Sequence, residues 1–346
     1  MCIRDRDMGM LLASVEAPYH EIALSRRAGV YDISLADGPV EMDRDFVLQW
    51  SPVSGREPGA ALFIERVDGE YYGLLMLVPP AADRAPEPAA REMVFVVDTS
   101  GSMGGVSIRQ ARDSLDQALR HLRPQDSFNI IEFNSSHRAL FSRSLRATRH
   151  NVQRATEFVR HLDASGGTEM LPALQAALAT PGQHDELIAQ QSLRQVIFIT
   201  DGAVGNETAL YEEIVQRLGA SRLFTVGIGS APNSWFMQMA AQAGRGTYTY
   251  IADVQEVGRK MDALFRQLSS PVATQLEVDW PDGAEAWPQR LPDLYQGEPL
   301  LVAVKLGRQL PSAGINVRGF MGEQAWTREL QPGDGADPAF AADHPG

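Results

Sequence analysis

The chain has 346 residues, 44% of them hydrophobic and 22% charged, which is enough apolar material for one large domain or two ordinary ones. Its formal net charge of −13 argues against nucleic acid as a partner, because binding a polyanion requires a basic face. No apolar stretch reaches the roughly 18 residues that a membrane span needs. The single cysteine, Cys2, excludes an internal disulfide and a cysteine-based metal site.

The amino-terminal part of the chain is predicted to be rich in β-structure. Residues 1–6 resemble a translated sequencing adapter, so we expect the true N-terminus, with any signal peptide, to lie outside this sequence. Residues 8–80 contain short apolar or alternating runs bounded by turns, at 30–35, 46–50, 60–65 and 71–78. The last two runs flank Asp68-Gly69, which is typical of a β-hairpin. Residues 81–91 are rich in Ala and Pro and are predicted to be a linker.

Strands and helices alternate over residues 92–270, which predicts a parallel sheet with helices on both faces. The predicted strands are 93–98, 128–133, 195–200, 223–228 and 246–251. The predicted helices are 107–122, 152–162, 170–179, 207–218, 235–243 and 254–268. Ser107 is the predicted N-cap of the first helix.

The pattern returns to β over residues 271–330, with strand candidates at 275–280, 300–306 and 314–320. Residues 331–346 have little to bury and are predicted to be a disordered tail. Two β-rich segments therefore flank the α/β domain, and we expect them to pack together.

The most informative stretch is the apolar run 94–97, which ends in Asp98 and is followed by Ser100 and Ser102. A continuous apolar run predicts a strand buried on both faces, and the loop after such a strand lies at the carboxyl edge of the sheet, where ligands usually bind. One carboxylate and two hydroxyls are hard oxygen donors, which suit Mg²⁺ or Ca²⁺ better than zinc or copper. The alternative is a purely structural role, in which the serines cap a turn at the start of the first helix.

The segment Asp98-Thr99-Ser100-Gly101-Ser102 resembles the Asp-x-Ser-x-Ser signature of von Willebrand factor type A (vWA) domains, where it begins a metal-ion-dependent adhesion site (MIDAS). The other two positions of that family pattern match Thr168, which follows Gly166-Gly167, and Asp201, which follows the predicted strand 195–200. The resemblance implies an α/β fold with a doubly wound, mostly parallel, six-stranded Rossmann-like sheet, flanked here by the β-rich segments.

The resemblance also implies a role for each of the five positions. Ser100 and Ser102 would touch the metal directly, Thr168 would bind it directly or through water, and Asp98 and Asp201 would act largely through water. Mg²⁺ is the expected ion, with Mn²⁺ or Ca²⁺ as alternatives. Because Mg²⁺ wants six oxygens, such a site keeps an open position that an acidic side chain of a partner protein can fill. Glu169 and Glu207 lie next to the site loops and are predicted to be solvated charges, with an internal sixth ligand as the alternative.

Wider resemblances suggest a biological setting. Residues 8–80 are similar to the C-terminal part of a vault protein/inter-alpha-trypsin inhibitor (VIT) domain, with a generic β-rich domain as the alternative. The run 221–234, continuing to Trp280-Pro281, resembles inter-alpha-trypsin inhibitor heavy-chain-like bacterial proteins, and more narrowly the marine proteobacterial sortase target proteins. This implies an exported protein of the cell surface or periplasm that a sortase anchors through a C-terminal signal, which we expect to lie beyond this sequence.

Two further function classes are alternatives to this adhesion hypothesis. The first is an intracellular vWA assembly subunit of a chelatase or AAA-type complex. The second is an enzyme, which the motifs disfavour. Gly101 directly precedes Ser102, so the Gly-x-Ser-x-Gly spacing of a serine nucleophile fails. Ser100 stands where a phosphotransfer site would need a second aspartate, and no Walker sequence is present.

Overall fold

A computed structural model divides the chain into two units. One is an α/β unit of residues 87–270, and the other is a β unit that combines residues 1–86 with residues 271–346. The structure describes residues 3–7, 10–27, 30–36, 38, 43, 45–53, 55, 57–80, 90–179, 193–202, 206–230, 232–269, 271–310, 313–322 and 324–331. Nearly all of the predicted linker 81–91 and of the predicted tail 331–346 therefore lies outside the described residues, as does Cys2.

The amino-terminal segment contributes seven strands among its described residues. They are β1 Ile3–Asp7, β2 Leu12–Glu16, β3 Ile22–Arg27, β4 Val30–Leu35, β5 Gln49–Pro52, β6 Gly59–Val67 and β7 Glu70–Val78. The predicted hairpin is present, because β6 pairs antiparallel with β7 around Asp68-Gly69. Both turn residues have positive φ, 50° and 84°, which the tight turn of a two-residue hairpin requires.

The described part of the α/β unit contains seven strands and six α-helices. The strands are β8 Arg91–Asp98, β9 Ser127–Phe133, β10 His137–Ala139, β11 Leu145–Arg146, β12 Leu193–Thr200, β13 Arg222–Ile228 and β14 Tyr248–Ile251. The helices are α1 Val106–Arg120, α2 Arg149–Arg160, α3 Met170–Leu178, α4 Glu207–Arg217, α5 Ser234–Ala243 and α6 Val257–Ser269. Every predicted strand and helix of this unit is present, with small shifts at the ends.

The sheet of the α/β unit has five parallel strands in the order β9-β8-β12-β13-β14. Two short strands, β10 and β11, pair antiparallel with β9. The sheet is mostly parallel and doubly wound, as predicted, but it has seven strands in its described part and not six. β10 and β11 are short and largely exposed, so they carry no apolar pattern that would predict them.

The winding of this sheet reverses at β8. The chain leaves β8 to form β9 on one side and later returns to form β12 on the other side. In sheets with this strand order, ligands bind at the carboxyl ends of the strands where the order reverses. The carboxyl ends of β8 and β12 are therefore the place where the fold itself predicts a site.

Helices cover both faces of β8, whose eight residues are all buried. Val94 and Val96 belong to a core shared with α3, α4 and α5. Phe95 points to the other face and lies 6.3 Å, ring centroid to ring centroid, from Phe265 of α6, against which α1 packs. The N-cap of α1 is Gly105, with φ 77°, so the prediction of Ser107 as N-cap is wrong and Ser107 lies inside the first turn.

The carboxyl-terminal segment adds six strands among its described residues: β15 Pro271–Val278, β16 Glu285–Trp287, β17 Leu294–Tyr295, β18 Leu300–Gly307, β19 Ile315–Met321 and β20 Gln324–Leu330. β18 pairs antiparallel with β7, so the sheet β16-β18-β7-β6 contains strands of both segments. Its core is shared with the second sheet, β17-β15-β19-β20. The two β-rich segments therefore pack together, as expected. No helix in the described part of the chain combines the length and apolar character needed to cross a membrane.

Candidate metal centre

Asp98 is the last residue of β8 and is fully buried at the carboxyl edge of the sheet. Its Oδ1 accepts the backbone N–H of Ser100 at 2.8 Å, and its Oδ2 accepts the hydroxyl of Thr200 at 2.6 Å. Burial raises the pKa of the Asp98 carboxyl, the hydrogen bonds from Thr200 and Ser100 act in the opposite direction, and the charge of Asp201 raises it further. The carboxylate is thus held in one orientation in a place where a negative charge is costly.

The two serines that follow share one short turn. Residues Gly101–Met103 form a 3₁₀ turn, which brings the hydroxyl oxygens of Ser100 and Ser102 to 3.0 Å from each other. Two ligands at right angles around Mg²⁺, each about 2.1 Å from the ion, are about 3 Å apart. Ser100 is buried whereas Ser102 is exposed, so the hydroxyl pair leads from the interior to solvent.

The loop that carries Thr168 lies against the serine loop. Gly101 donates its N–H to the carbonyl of Gly166 at 3.1 Å, and Ser165 donates to the carbonyl of Thr99 at 2.8 Å. Gly166 has φ 77°, and a Cβ there would meet the Ser135 hydroxyl at 2.8 Å, so this close approach requires glycine. Thr168 follows two residues later and is half-buried at the same edge.

Asp201 follows β12, the strand next to β8. The hydroxyl of Thr200 donates to Asp98 and accepts the N–H of Gly202 at 2.9 Å, which fixes the chain on both sides of Asp201. The half-buried Asp201 is close enough for its charge to raise the pKa of Asp98. Two carboxylates therefore meet where the winding of the sheet reverses.

Comparison with known proteins agrees with this architecture. Residues 91–250 match the family model described as von Willebrand factor type A domain. Mouse inter alpha-trypsin inhibitor, heavy chain 4 is 28% identical over 279 residues, which cover 78% of this chain and 29% of that protein. A von Willebrand factor A domain-containing protein of Dictyostelium discoideum is 28% identical over 229 residues, which cover 65% of this chain and 24% of that protein. The chain thus spans only 24% and 29% of the lengths of these two relatives.

Solved structures show the same fold. The von Willebrand factor type A from Catenulispora acidiphila superposes with a TM-score of 0.60 at 19% identity, covering 80% of this chain and 74% of that one. The ArnB paralog VWA2 from Sulfolobus acidocaldarius reaches a TM-score of 0.51 at 15% identity, covering 80% and 75%. The α/β unit has the vWA fold. Domains of this kind commonly mediate protein–protein interactions and are typically non-catalytic.

Several side chains that shape the centre of this vWA domain were not predicted from sequence. Thr200 has the pattern of an ordinary strand residue in the sequence, yet it links Asp98 to the Asp201 loop. Asn233 donates its backbone N–H to the carbonyl of Asp201 at 3.3 Å and its side-chain amide to Glu207 at 2.6 Å. Glu207 is therefore half-buried and hydrogen-bonded, whereas it was predicted to be a solvated charge. Glu169 is exposed, as predicted.

The donor set of the vWA centre fits a hard divalent cation. The five predicted positions offer two carboxylates and three hydroxyls, and neither imidazole nor thiolate. Within the described residues no group of three or more His, Cys, Asp or Glu side chains is placed to hold a metal, so an ion here would depend on hydroxyl oxygens. The structure brings the loops of all five positions to one edge of the sheet, and the ligand roles themselves stay a prediction.

Proposed function

We propose that the vWA domain binds a divalent cation, Mg²⁺ before Mn²⁺ or Ca²⁺, and uses it to hold an acidic side chain of a partner protein. Ser100, Ser102 and Thr168 would be the direct ligands, with Asp98 and Asp201 acting through water. The observation that carries the proposal is the buried carboxylate of Asp98 beside a hydroxyl pair whose oxygens are 3.0 Å apart.

The electrostatics of Asp98 support a cation at this place. No cationic side chain among the described residues forms an ion pair with Asp98, and Asp201 adds a second negative charge. A buried carboxylate without a positive partner destabilises the folded protein, and a bound cation would remove that cost. Neutral hydroxyl ligands leave the ion electron-poor, so it favours a further anionic ligand.

The same electrostatics explain why the partner's acidic group would need the metal. The chain carries a formal net charge of −13, and Glu169, Asp201 and Glu207 lie around the centre. An approaching carboxylate would be repelled by these charges. A divalent cation that keeps an exchangeable water position reverses the sign of the local interaction.

The cellular setting belongs to the same proposal. The resemblance of residues 221–234 to sortase target proteins supports an exported protein of the cell envelope, anchored by a sortase in its full-length form. A reading frame with a signal peptide upstream and a sorting signal downstream would support this setting. A frame without either would overturn it and favour the intracellular assembly subunit.

The metal proposal is tested by titrating Mg²⁺ into the EDTA-treated protein in a calorimeter. Ser102→Ala should weaken Mg²⁺ binding by about tenfold or more, since a direct ligand is lost. Ser142→Ala is the matched control, because Ser142 is an exposed serine on the segment between β10 and β11. Equal affinities in all three proteins would contradict the proposal.

A further inference from the structure

Two exposed apolar residues lie in the first turns of helices at the sheet edge that holds the candidate metal centre. Val106 is the first residue of α1 and is 48% exposed, and Trp235 is the second residue of α5 and is 64% exposed. α1 packs with α6 on the Phe95 face of the sheet, whereas α5 packs on the opposite face. The two side chains therefore flank the carboxyl edge from opposite faces.

Trp235 is tied to the metal centre through the backbone. Asn233, two residues earlier, donates its N–H to the carbonyl of Asp201 and caps α5 by accepting the N–H of Phe236 at 3.1 Å. Gly202 lies against the same residue, since a Cβ on Gly202 would meet the nitrogen of Asn233 at 2.9 Å. The start of α5 is thus fixed beside Asp201.

The direction of helical side chains places the Trp235 indole at the rim. Side chains of a helix point toward its amino terminus, so those of the first turn extend past the helix end. The amino ends of α1 and α5 both follow strands that end at the carboxyl edge, β8 and β13 respectively. Trp235 and Val106 therefore extend toward the edge where Asp98 and Ser102 lie.

An exposed tryptophan beside a cluster of negative charges favours one kind of partner. Tryptophan contributes a large apolar area and is common among the residues that dominate binding energy at protein interfaces. Glu169, Asp201 and Glu207 disfavour further acidic groups next to the one that a metal would hold. The side chain of the partner that lies on the Trp235 indole would be apolar, because the exposed indole offers it apolar area to bury.

We propose that the partner segment carries a large apolar side chain close in sequence to its metal-binding acidic residue, and that Trp235 is the main contact of that side chain, with Val106 on the opposite side. The inference rests on the proposed metal-dependent function and deepens it by defining the recognised segment. An acidic residue alone would bind weakly, and the pair would bind with specificity.

The test uses the whole chain and a displayed library of linear peptides with one fixed aspartate and all other positions random. Selection in Mg²⁺, with elution by EDTA, should enrich large apolar residues at a fixed distance from the aspartate. Trp235→Ala should lose this enrichment. Its affinity for a selected peptide should fall by about tenfold or more. Trp287→Ala is the matched control, because Trp287 is 51% exposed and lies in the β unit.

The outcomes separate this inference from the metal-dependent function. Selection of aspartate peptides in Mg²⁺ without apolar enrichment, or equal binding by Trp235→Ala, would overturn the inference and leave the metal-dependent function standing. Equal losses of peptide affinity in Trp235→Ala and Trp287→Ala would also overturn the inference, because they would show that the peptides adhere to any exposed tryptophan. Failure to select any Mg²⁺-dependent peptide would overturn both. The Mg²⁺-induced rise in thermal midpoint should be unchanged in Trp235→Ala, which checks that the variant folds.

Discussion

Two fully buried aspartates of the α/β unit, Asp126 and Asp98, lie at opposite edges of the same sheet. Asp126 precedes β9 at the amino edge and forms ion pairs with Arg91 at 2.6 Å and Arg123 at 2.9 Å. Asp98 ends β8 at the carboxyl edge and accepts hydrogen bonds only from neutral groups, as far as the described residues show.

The pKa values of the two aspartates differ because their hydrogen-bond partners differ in charge. Burial alone would raise the pKa of Asp126, but hydrogen bonds from Arg91 and Arg123, together with the charge of Arg91, outweigh it and hold that pKa below its usual range. Burial raises the pKa of Asp98, and its neutral hydrogen-bond donors do not cancel the effect. The amino edge thus contains its own cations, which stabilise the fold, whereas the carboxyl edge is where we propose that a cation from solution binds.

The largest expected effect is at the amino edge. Asp126→Asn should lower the free energy of unfolding by about 3–5 kcal/mol, because the buried guanidinium of Arg91 loses its counter-charge. Urea denaturation measures this change. Arg120→Met removes the exposed pair with Asp116 and should change stability by less than about 1 kcal/mol. Similar effects of the two variants would break the comparison.

At the carboxyl edge the same substitution should act through the metal. Mg²⁺ at 100 times its Kd should stabilise the wild-type fold by about 2.7 kcal/mol, seen as a higher thermal midpoint. Asp98→Asn should remove this gain, while in EDTA it should change stability by no more than about 1 kcal/mol, because relief of the buried negative charge offsets the weakened hydrogen bond. A full Mg²⁺ response in Asp98→Asn would show that this carboxylate does not serve the ion.

Thr200→Val sharpens the comparison, because it removes the hydroxyl that orients Asp98 and keeps the shape of the side chain. The hydrogen bond to the charged Asp98 and the one accepted from the Gly202 N–H are both lost, which should cost about 2 kcal/mol of stability. Mg²⁺ affinity should fall about 10–100-fold, as for other groups that orient metal ligands. Calorimetric titration checks the affinity. Thr156→Val is the control for losing a threonine hydroxyl, because the hydroxyl of Thr156 donates to the carbonyl of Val152 within helix α2. An unchanged Mg²⁺ affinity would remove Thr200 from the account.

The smallest effect concerns acid stability. The lowered pKa of Asp126 means that its carboxylate contributes stability above the pKa of the unfolded chain, about 3.9, and that this contribution is lost as the pH falls through the lower folded value. The stability of the wild-type protein should therefore decline more steeply in acid than that of Asp126→Asn. Unfolding curves over a pH series would show parallel declines if the ion pair were unimportant.

The sequence predicted the parts of the site that depend on local pattern. The apolar run ending in Asp98 identified β8, and the spacing of Ser100 and Ser102 identified the serine loop. Thr200 was missed because a hydroxyl-bearing β-branched residue in an apolar run looks like any strand residue. Its role depends on the register of β12 against β8, which lies more than 100 positions earlier in the chain.

Long-range pairing also explains what was missed elsewhere. The ion pair of Arg91 with Asp126 joins residues that are 35 positions apart, and neither local sequence predicts it. β20 was not predicted because most of its residues are polar and exposed, and it exists through continuous pairing with β19. Local patterns predicted elements, and tertiary contacts decided which polar groups are paired.

The most direct measurement is the anomalous diffraction of crystals soaked in Mn²⁺. The account predicts one strong peak at the carboxyl ends of β8 and β12, about 2.1–2.2 Å from the hydroxyl oxygens of Ser100 and Ser102. Thr168 and Asp201 should lie in the first or second coordination layer of that ion. A fully occupied ion elsewhere with none at this edge, or no ion at saturating Mn²⁺, would contradict the account.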